Sequence, residues 1–489
     1  MWTRQRLRDT IHQKLGDFQF IVVSNREPYV HEARGGQIRS QKTISGLVTA
    51  LDPVMQACGG TWVAFGNGSA DQKVVDENDC VQVPPDCPRY TLRRVWLSKE
   101  EEGRYYYGYS NQALWPLSHI AYRQPTFDTN DWLWYDGVNK KFAEAVLDSC
   151  RKEGVFVWLQ DYHLARCAAF LKRRNPNLIV SLFWHIPWPN PEVFHICPQR
   201  LQILRGLLAN DMLGFHIMYH CHNFLSTVEQ ELEAKVDWEE LSVTQQGHKT
   251  LVRPFPISVD DESIWEIAQS PEATEALKNI PEEIEVPFEY LAVSVDRVDY
   301  TKGIPEKIRA IDRFLEKYPE YQGKFVFLQL GVLSRMRIRA YKQLIDEIQG
   351  LAEEVNWKYR VGSWYPIVLM INRRLDYPAY LAHYRAANLF IVGSLHDGMN
   401  LVAKEYIMAN VDYRGMLILS RFTGAARELR EAMLVNPYDT EGMADAIKQG
   451  LEMPKKERRR RITLMQRRIR EHNIFWWAHE YIDSLIKLT

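Results

Sequence analysis

Short apolar runs alternate with amphipathic stretches along most of the chain. Residues 18–23, 61–65, 155–159 and 178–184 form one set of runs, and residues 290–295, 324–331, 387–392, 416–420 and 432–437 form another. Each is too short for a buried helix and is followed by proline, glycine or clustered polar residues, which predicts buried strands. Between them, residues 47–58, 99–119, 336–351 and a stretch from Ile304 carry helical spacing of apolar positions. Strands alternating with helices predict an α/β fold with largely parallel sheets. Residues 249–257 are extended and punctuated by Pro254 and Pro256, which suggests an interdomain passage and a division into 1–257 and 258–489. Residues 1–17 read as a short charged helix, 281–287 as an acidic loop, and a helical tail begins at Pro454. The amphipathic end, 474–488, is expected to pack back across the domains.

Polar groups gather where the strands end, the place where open α/β sheets bind ligands. Arg26 closes the first strand. Ser45 is the expected N-cap of the next helix, with Gly46 beside it, a helix N-terminus suited to an anionic or hydroxyl-rich ligand. A surface arginine and an ordinary cap explain the same residues equally well. Asp161 and His185 follow two apolar runs and are expected to be neighbours at one sheet edge. An Asp–His pair suggests general-base work, and a buried histidine orienting a loop is the alternative. Ser98-Lys99-Glu100-Glu101 has the capping-box pattern, and the helix after it carries an aromatic face with Tyr106 and Trp115. Such a stripe is more often core than ligand platform.

In the second half, the strand at 290–295 runs into Asp296-Arg297-Val298-Asp299-Tyr300-Thr301-Lys302-Gly303. An arginine fork and a lysine point charge at a first βα turn suit a diphosphate and would neutralise charge growing on a phosphate leaving group. Ser334-Arg335 is read as opening the following basic helix. The run at 387–392 leads into Ser394-Leu395-His396-Asp397-Gly398-Met399-Asn400-Leu401-Val402-Ala403-Lys404-Glu405, with Gly398 at the bend. Asp397 overhangs the sheet edge, and Glu405, about two helical turns on, lies near the same face. A carboxylate there can accept hydrogen bonds from sugar or ribose hydroxyls; a capping aspartate and a solvated glutamate are the bland alternative.

A length of 489 residues suits two domains. With a formal net charge of −1, no global field favours nucleic acid or an anionic membrane. The basic run at 455–461 reads as a solvated helix face, since no second basic stripe accompanies it. Seven scattered cysteines without a CxxC pair fit a reducing compartment. The polar N-terminus lacks a signal-peptide pattern and no apolar run is long enough to span a bilayer, so a cytoplasmic protein without nucleic-acid or membrane partners is expected. His216 and His220 have the spacing of a helical metal pair but no third ligand, so surface or core histidines are favoured and no metal site is assigned. No G-x-G-x-x-G, P-loop or G-x-S-x-G occurs, which removes support for nicotinamide, kinase and hydrolase readings.

Six separated strings, in order, resemble the trehalose-6-phosphate synthase family of retaining glycosyltransferases. They include Tyr105 to Pro116, Asp161-Tyr162-His163-Leu164, His185-Ile186-Pro187-Trp188-Pro189, Arg297 to Gly303 and Asp397 to Glu405. The resemblance implies a GT-B fold, two Rossmann-like domains facing across a cleft, with the acceptor mainly on the N-terminal domain and the donor on the C-terminal one. It implies transfer of glucose from a nucleotide diphosphate glucose to glucose 6-phosphate, with small-molecule substrates, no cofactor and no metal. His185, Arg297, Lys302 and Asp397 would be catalytic. Gly46, Gly398, Met399, Asn400, Leu401 and Glu405 would join them around the donor. Arg26, Tyr106, Trp115, Asp161 and Arg335 would bind the acceptor; a structural salt bridge to Glu27 or Asp299 is the rival explanation for Arg26 or Arg335. Homo-oligomerisation is compatible with the family, and the nucleotide base stays open. The chain departs from the family pattern at Ser45, Phe65, His396 and Tyr365-Pro366-Ile367-Val368. Synthesis of glucosylglycerol phosphate or another phosphorylated glucoside is the alternative within the class. A catalytically silent regulatory homologue is the alternative outside it, against which intact Arg297, Lys302, Asp397 and Glu405 argue.

Overall fold

The computed structural model describes residues 1–488 other than Asp17, Ile44 and Arg374. The chain forms two compact units, one from Met1–Ile257 together with the chain from Ile474 onward, the other from Ser258–Asn473.

The first unit is built on a ten-stranded sheet. Its parallel part runs Tyr90–Val95, Thr61–Phe65, Gln19–Arg26, Val155–Gln160, Ile179–Phe183, Met212–Phe215, His248–Pro254. The first strand thus lies inside the sheet. The chain winds outward from it one way, then returns and winds out the other way, the doubly wound Rossmann order. Antiparallel strands extend both edges, Cys80–Val83 at one and Ser242–Gln245 with Lys235–Asp237 at the other. Ile21, Val22 and Val23 are fully buried, as expected for a central strand covered on both faces.

The second unit repeats this plan in a six-stranded, all-parallel sheet. Its order is Ile367–Ile371, Phe325–Val332, Tyr290–Arg297, Leu389–Val392, Met416–Ser420, Met433–Val435. The helix Ile304–Lys317 buries Ile304, Ile308, Ile311, Phe314 and Leu315, one apolar stripe at helical spacing.

Four expectations are corrected. Residues 281–287 are not a loop throughout, because the helix Pro271–Ile284 runs through Pro281 and stops at Glu285 (φ 58). Pro281 removes one hydrogen bond to the preceding turn, and the helix ends three residues later. The helix expected to open at Ser334-Arg335 begins later, at Arg339–Tyr359; Arg335 has φ 53 and belongs to the turn before it. The stretch 99–119 is helical, but Glu102–Leu114 is a π-helix between Lys99–Glu101 and Trp115–His119. The division expected at 258–489 gave the last helix to the second unit, whereas Ile474–Ile486 belongs to the first. It buries Trp477, Tyr481 and Leu485. Tyr481 stacks on Trp158 with ring centroids 4.4 Å apart, and Trp477 Nε1 donates to the Phe255 carbonyl at 3.1 Å. The N-terminal helix Arg4–Leu15, capped by Thr3, packs beside it; Asp17, the end of the expected helical stretch, lies outside the described residues. Among the described residues no helix is long and apolar enough to cross a membrane.

Candidate active site

In the second unit, the expected donor residues occupy the ends of the first and fourth strands, where the winding direction reverses. This switch point is where doubly wound sheets bind ligands. Arg297 is the last residue of Tyr290–Arg297 and keeps its guanidinium partly exposed. Asp299 then caps a 3₁₀ turn, Tyr300–Lys302, and Gly303 (φ 60) starts the helix. Only glycine fits there, since a Cβ would run into the Gly393 carbonyl oxygen. This close approach joins the two strand-end loops, and Leu395 N donates to Thr301 O at 2.8 Å. Lys302 Nζ donates to Asp397 Oδ2 at 2.5 Å, and both side chains are largely covered. Asn400 Nδ2 reaches the same oxygen at 3.1 Å and Ser394 Oγ at 3.4 Å.

The residue with left-handed backbone at this bend is Asn400 (φ 78). It, and not Asp397, caps the helix Leu401–Ala409, through Oδ1 and Ala403 N. Met399 is buried, and its carbonyl accepts from Ala425 N at 2.8 Å. Gly424 lies against the Gly398 carbonyl. Glu405 is anchored separately: its carboxylate is buried, accepts from Tyr384 Oη at 3.4 Å, and is not a solvated surface acid. Burial pushes it up to about 7, against the pull of the Tyr384 hydroxyl.

The first unit repeats the placement. Arg26 ends Gln19–Arg26, and Asp161 follows Val155–Gln160, again the first and fourth strands of the Rossmann order. Asp161 has φ 74, and its Oδ1 accepts from Tyr162 N at 2.9 Å and from His185 N at 3.1 Å. Asp161 and His185 are therefore neighbours, as expected, with a bond that runs from the histidine backbone. The His185 ring faces Gln160 Oε1 through Nε2 at 2.8 Å. Burial, with a smaller contribution from His163, pushes it down to about 3, so the imidazole is neutral at ordinary pH.

Exposed Arg26 donates through Nη2 to Tyr106 Oη at 3.3 Å. Glu27, the rival partner for Arg26, instead lies buried on Arg94. Tyr106 stacks on His163, with centroids 5.7 Å apart. Its carbonyl is held by Asn111 Nδ2 at 2.7 Å, while Asn111 Oδ1 accepts from Tyr162 Oη at 2.8 Å. Trp115 is buried against His119 and Tyr162. Gly46 is exposed at the first turn of Gly46–Cys58, where Ser45 Oγ accepts from Val48 N. His216 and His220 are internal: His216 Nε2 meets the His185 carbonyl at 3.0 Å, and His220 Nδ1 meets Trp188 N at 3.3 Å. Among the described residues no group of histidine, cysteine and acidic side chains is placed to hold a metal.

Arg335 is placed differently from expectation. It is buried, and its Nη1 donates to Asp299 Oδ2 at 3.2 Å and to Tyr341 Oη at 2.6 Å. The salt bridge from Arg335 to Asp299, the rival to a phosphate contact, is therefore present. Tyr341, Asn111, Gln160 and Tyr384 were not singled out from sequence. Tyr341 reaches Asp299 from 42 residues along the chain, a contact that local pattern does not reveal.

Two sheets wound in this order, with cations and carboxylates at both switch points, make an α/β protein with a polar ligand-binding edge on each sheet. The sequence profile of Glycosyltransferase family 20 matches residues 18–487, and the chain belongs to that family. It is a glycosyltransferase. It is 36% identical over 479 residues to a trehalose-6-phosphate synthase of Mycobacterium avium, covering 96% of each chain. An E. coli trehalose-6-phosphate structure bound with UDP-2-fluoro glucose matches with a TM-score of 0.84 and 30% identity, over 96% of this chain and 99% of that one. A UDP-forming α,α-trehalose-phosphate synthase from Burkholderia xenovorans in complex with glucose-6-phosphate matches with a TM-score of 0.85 and 30% identity, over 96% and 99%.

Proposed function

We propose that the chain moves glucose from UDP-glucose to glucose 6-phosphate with retention of configuration, giving trehalose 6-phosphate. The observation that carries the reading is the pair of charged switch points: Arg297, Lys302 and Asp397 in the second unit, Arg26 and Asp161 in the first. The relatives' bound molecules support the choice of substrates: UDP-2-fluoro glucose in one, glucose-6-phosphate in another.

Arg297 and Lys302 take the donor diphosphate and neutralise the charge that grows as the bond from the glucosyl carbon to phosphate breaks. That carbon bonds the acceptor hydroxyl oxygen on the face the phosphate leaves, and the hydroxyl proton departs on a phosphate oxygen. No covalent enzyme nucleophile is required. Asp397 steers Lys302 and, with neutral His185, hydrogen-bonds the donor sugar. Gly398, Met399, Asn400 and Leu401 shape the loop around it, and Glu405 accepts from the ribose. Arg26, Tyr106 and Arg335 take the acceptor phosphate, Asp161 its hydroxyls, with Gly46 and Trp115 lining the site. Because two side-chain cations serve the leaving group, the reaction needs no divalent metal. We place it in the cytoplasm, since all seven cysteines are free.

A coupled assay for nucleotide diphosphate release over UDP-, ADP- and GDP-glucose, with and without chelator, tests this reading. UDP release with glucose 6-phosphate, unaffected by chelator, is expected. No release with any donor would contradict the transferase reading, and a divalent-restorable loss would contradict the metal-free one.

A further inference from the structure

Asp299 lies between Arg297 and Lys302 in sequence, and its side chain is fully buried. Its two carboxylate oxygens do different work. Oδ1 accepts from Thr301 N at 3.1 Å and Thr301 Oγ1 at 3.0 Å, which fixes the turn Tyr300–Lys302 that presents Lys302. Oδ2 accepts from Arg335 Nη1 at 3.2 Å and from Tyr341 Oη at 3.1 Å, with Arg297 Nη2 3.9 Å away. Arg335 also donates to Tyr341 Oη and lies over that ring, with the guanidinium carbon 5.7 Å from the centroid. Burial pushes the Tyr341 hydroxyl up, so it remains a neutral donor to the carboxylate.

The backbone at Arg335 points the same way. Its φ of 53 lies in the left-handed region, which is unfavourable for a non-glycine residue and persists where surrounding contacts over-determine it. The contacts here are Asp299 and Tyr341. Three cations assembled near one locus repel one another unless a counter-charge orders them. A buried carboxylate does so before substrate arrives, without reorganisation during the reaction. No local pattern requires this arrangement, since Arg335 and Tyr341 reach Asp299 from beyond the next strand.

We propose that Asp299 is a positioning residue for the transfer reaction. In this view one buried carboxylate sets the mutual geometry of Arg297, the Lys302 turn and Arg335, and so tunes recognition of donor diphosphate and acceptor phosphate together. The proposal rests on the reading that these three cations bind those phosphates.

Asp299→Asn keeps the size of the side chain and a carbonyl oxygen for the Thr301 bonds while removing the charge. The unmodified enzyme is assayed first with UDP-glucose and glucose 6-phosphate; turnover there establishes the substrate reading separately. In the variant, we expect the Kd for UDP by calorimetry to rise about tenfold and kcat/KM for glucose 6-phosphate to fall on the order of 10²-fold. On an Arg335→Ala background, the same substitution should raise the KM for glucose 6-phosphate no further, because it acts through that guanidinium. A generally weakened fold would not produce that non-additivity. A folded Asp299→Asn with unchanged UDP affinity and unchanged KM values would overturn the proposal, as would additive KM increases in the double variant. If the unmodified enzyme does not turn over glucose 6-phosphate, the substrate reading fails. The UDP affinity of the variant then decides the donor half, and an unchanged value again overturns the role. If Asp299→Asn does not fold, Tyr341→Phe replaces it: a higher KM for glucose 6-phosphate with UDP affinity kept is expected, and unchanged values of both would overturn it.

Discussion

At the scale of single residues, the site depends on how charge is held. The Lys302–Asp397 pair and the partly exposed Arg297 present two cations where a leaving diphosphate would sit. Arg297→Ala and Lys302→Ala should each lower turnover on the order of 10²-fold at saturating donor, read from initial rates of UDP release. Normal turnover in both would remove them from the leaving-group role. Glu405 gives a pH signature. Burial raises its carboxyl to about 7, while ribose hydroxyls donate best to the ionised form. Donor binding therefore favours loss of the proton, and donor KM should rise as pH falls below about 7. Glu405→Gln should flatten that dependence; a persistent slope would assign it elsewhere. His185 should add no limb to the rate profile near neutrality, because burial holds its imidazole neutral down to about 3. Most of these residues were legible in sequence because they follow apolar runs that end in turns. Asp299 was legible only as a salt-bridge partner of Arg335, and Tyr341 was not, since its role comes from a contact between a separate loop and helix.

At the scale of elements, the π-helix Glu102–Leu114 is the clearest departure from expectation. Aromatic periodicity indicates a helix but does not separate a ladder closing four residues back from one closing five back. Asn111 and Gln112 side chains donate to the carbonyls of Tyr106 and Tyr107, five residues earlier. Asn111 also accepts from Tyr162, beside Asp161, and so couples the turn bearing Tyr106 to the strand end. Asn111→Ala should cost about 1–3 kcal/mol in denaturant unfolding, because it leaves buried partners unsatisfied. It should also raise acceptor KM with little change for donor. Unchanged stability and KM would show that Asn111 does not organise this element. The helix start at Arg339 was missed for a related reason: the left-handed backbone at Arg335 makes a turn there that apolar periodicity does not register.

For the whole molecule, the alternation of strands and helices was legible, but the winding order was not, because strand pairing depends on long-range contacts. Both sheets share that order, and each places its charged residues at the first and fourth strand ends. The last helix closes the first unit through Trp477 and Tyr481 against Trp158 and Phe183. Trp477→Ala should destabilise that unit by about 3–5 kcal/mol, seen as an earlier unfolding transition; an unaltered transition would contradict this packing account. The most direct test of the central claim compares acceptors for the unmodified enzyme with UDP-glucose as donor. kcat/KM for glucose 6-phosphate should exceed that for glucose by about 10²-fold or more, because an acceptor without phosphate forgoes the charge-assisted bonds from Arg26 and Arg335. Comparable values for the two sugars would contradict a phosphate-binding acceptor site, and preference for glycerol 3-phosphate would keep the site and reject trehalose 6-phosphate as the product.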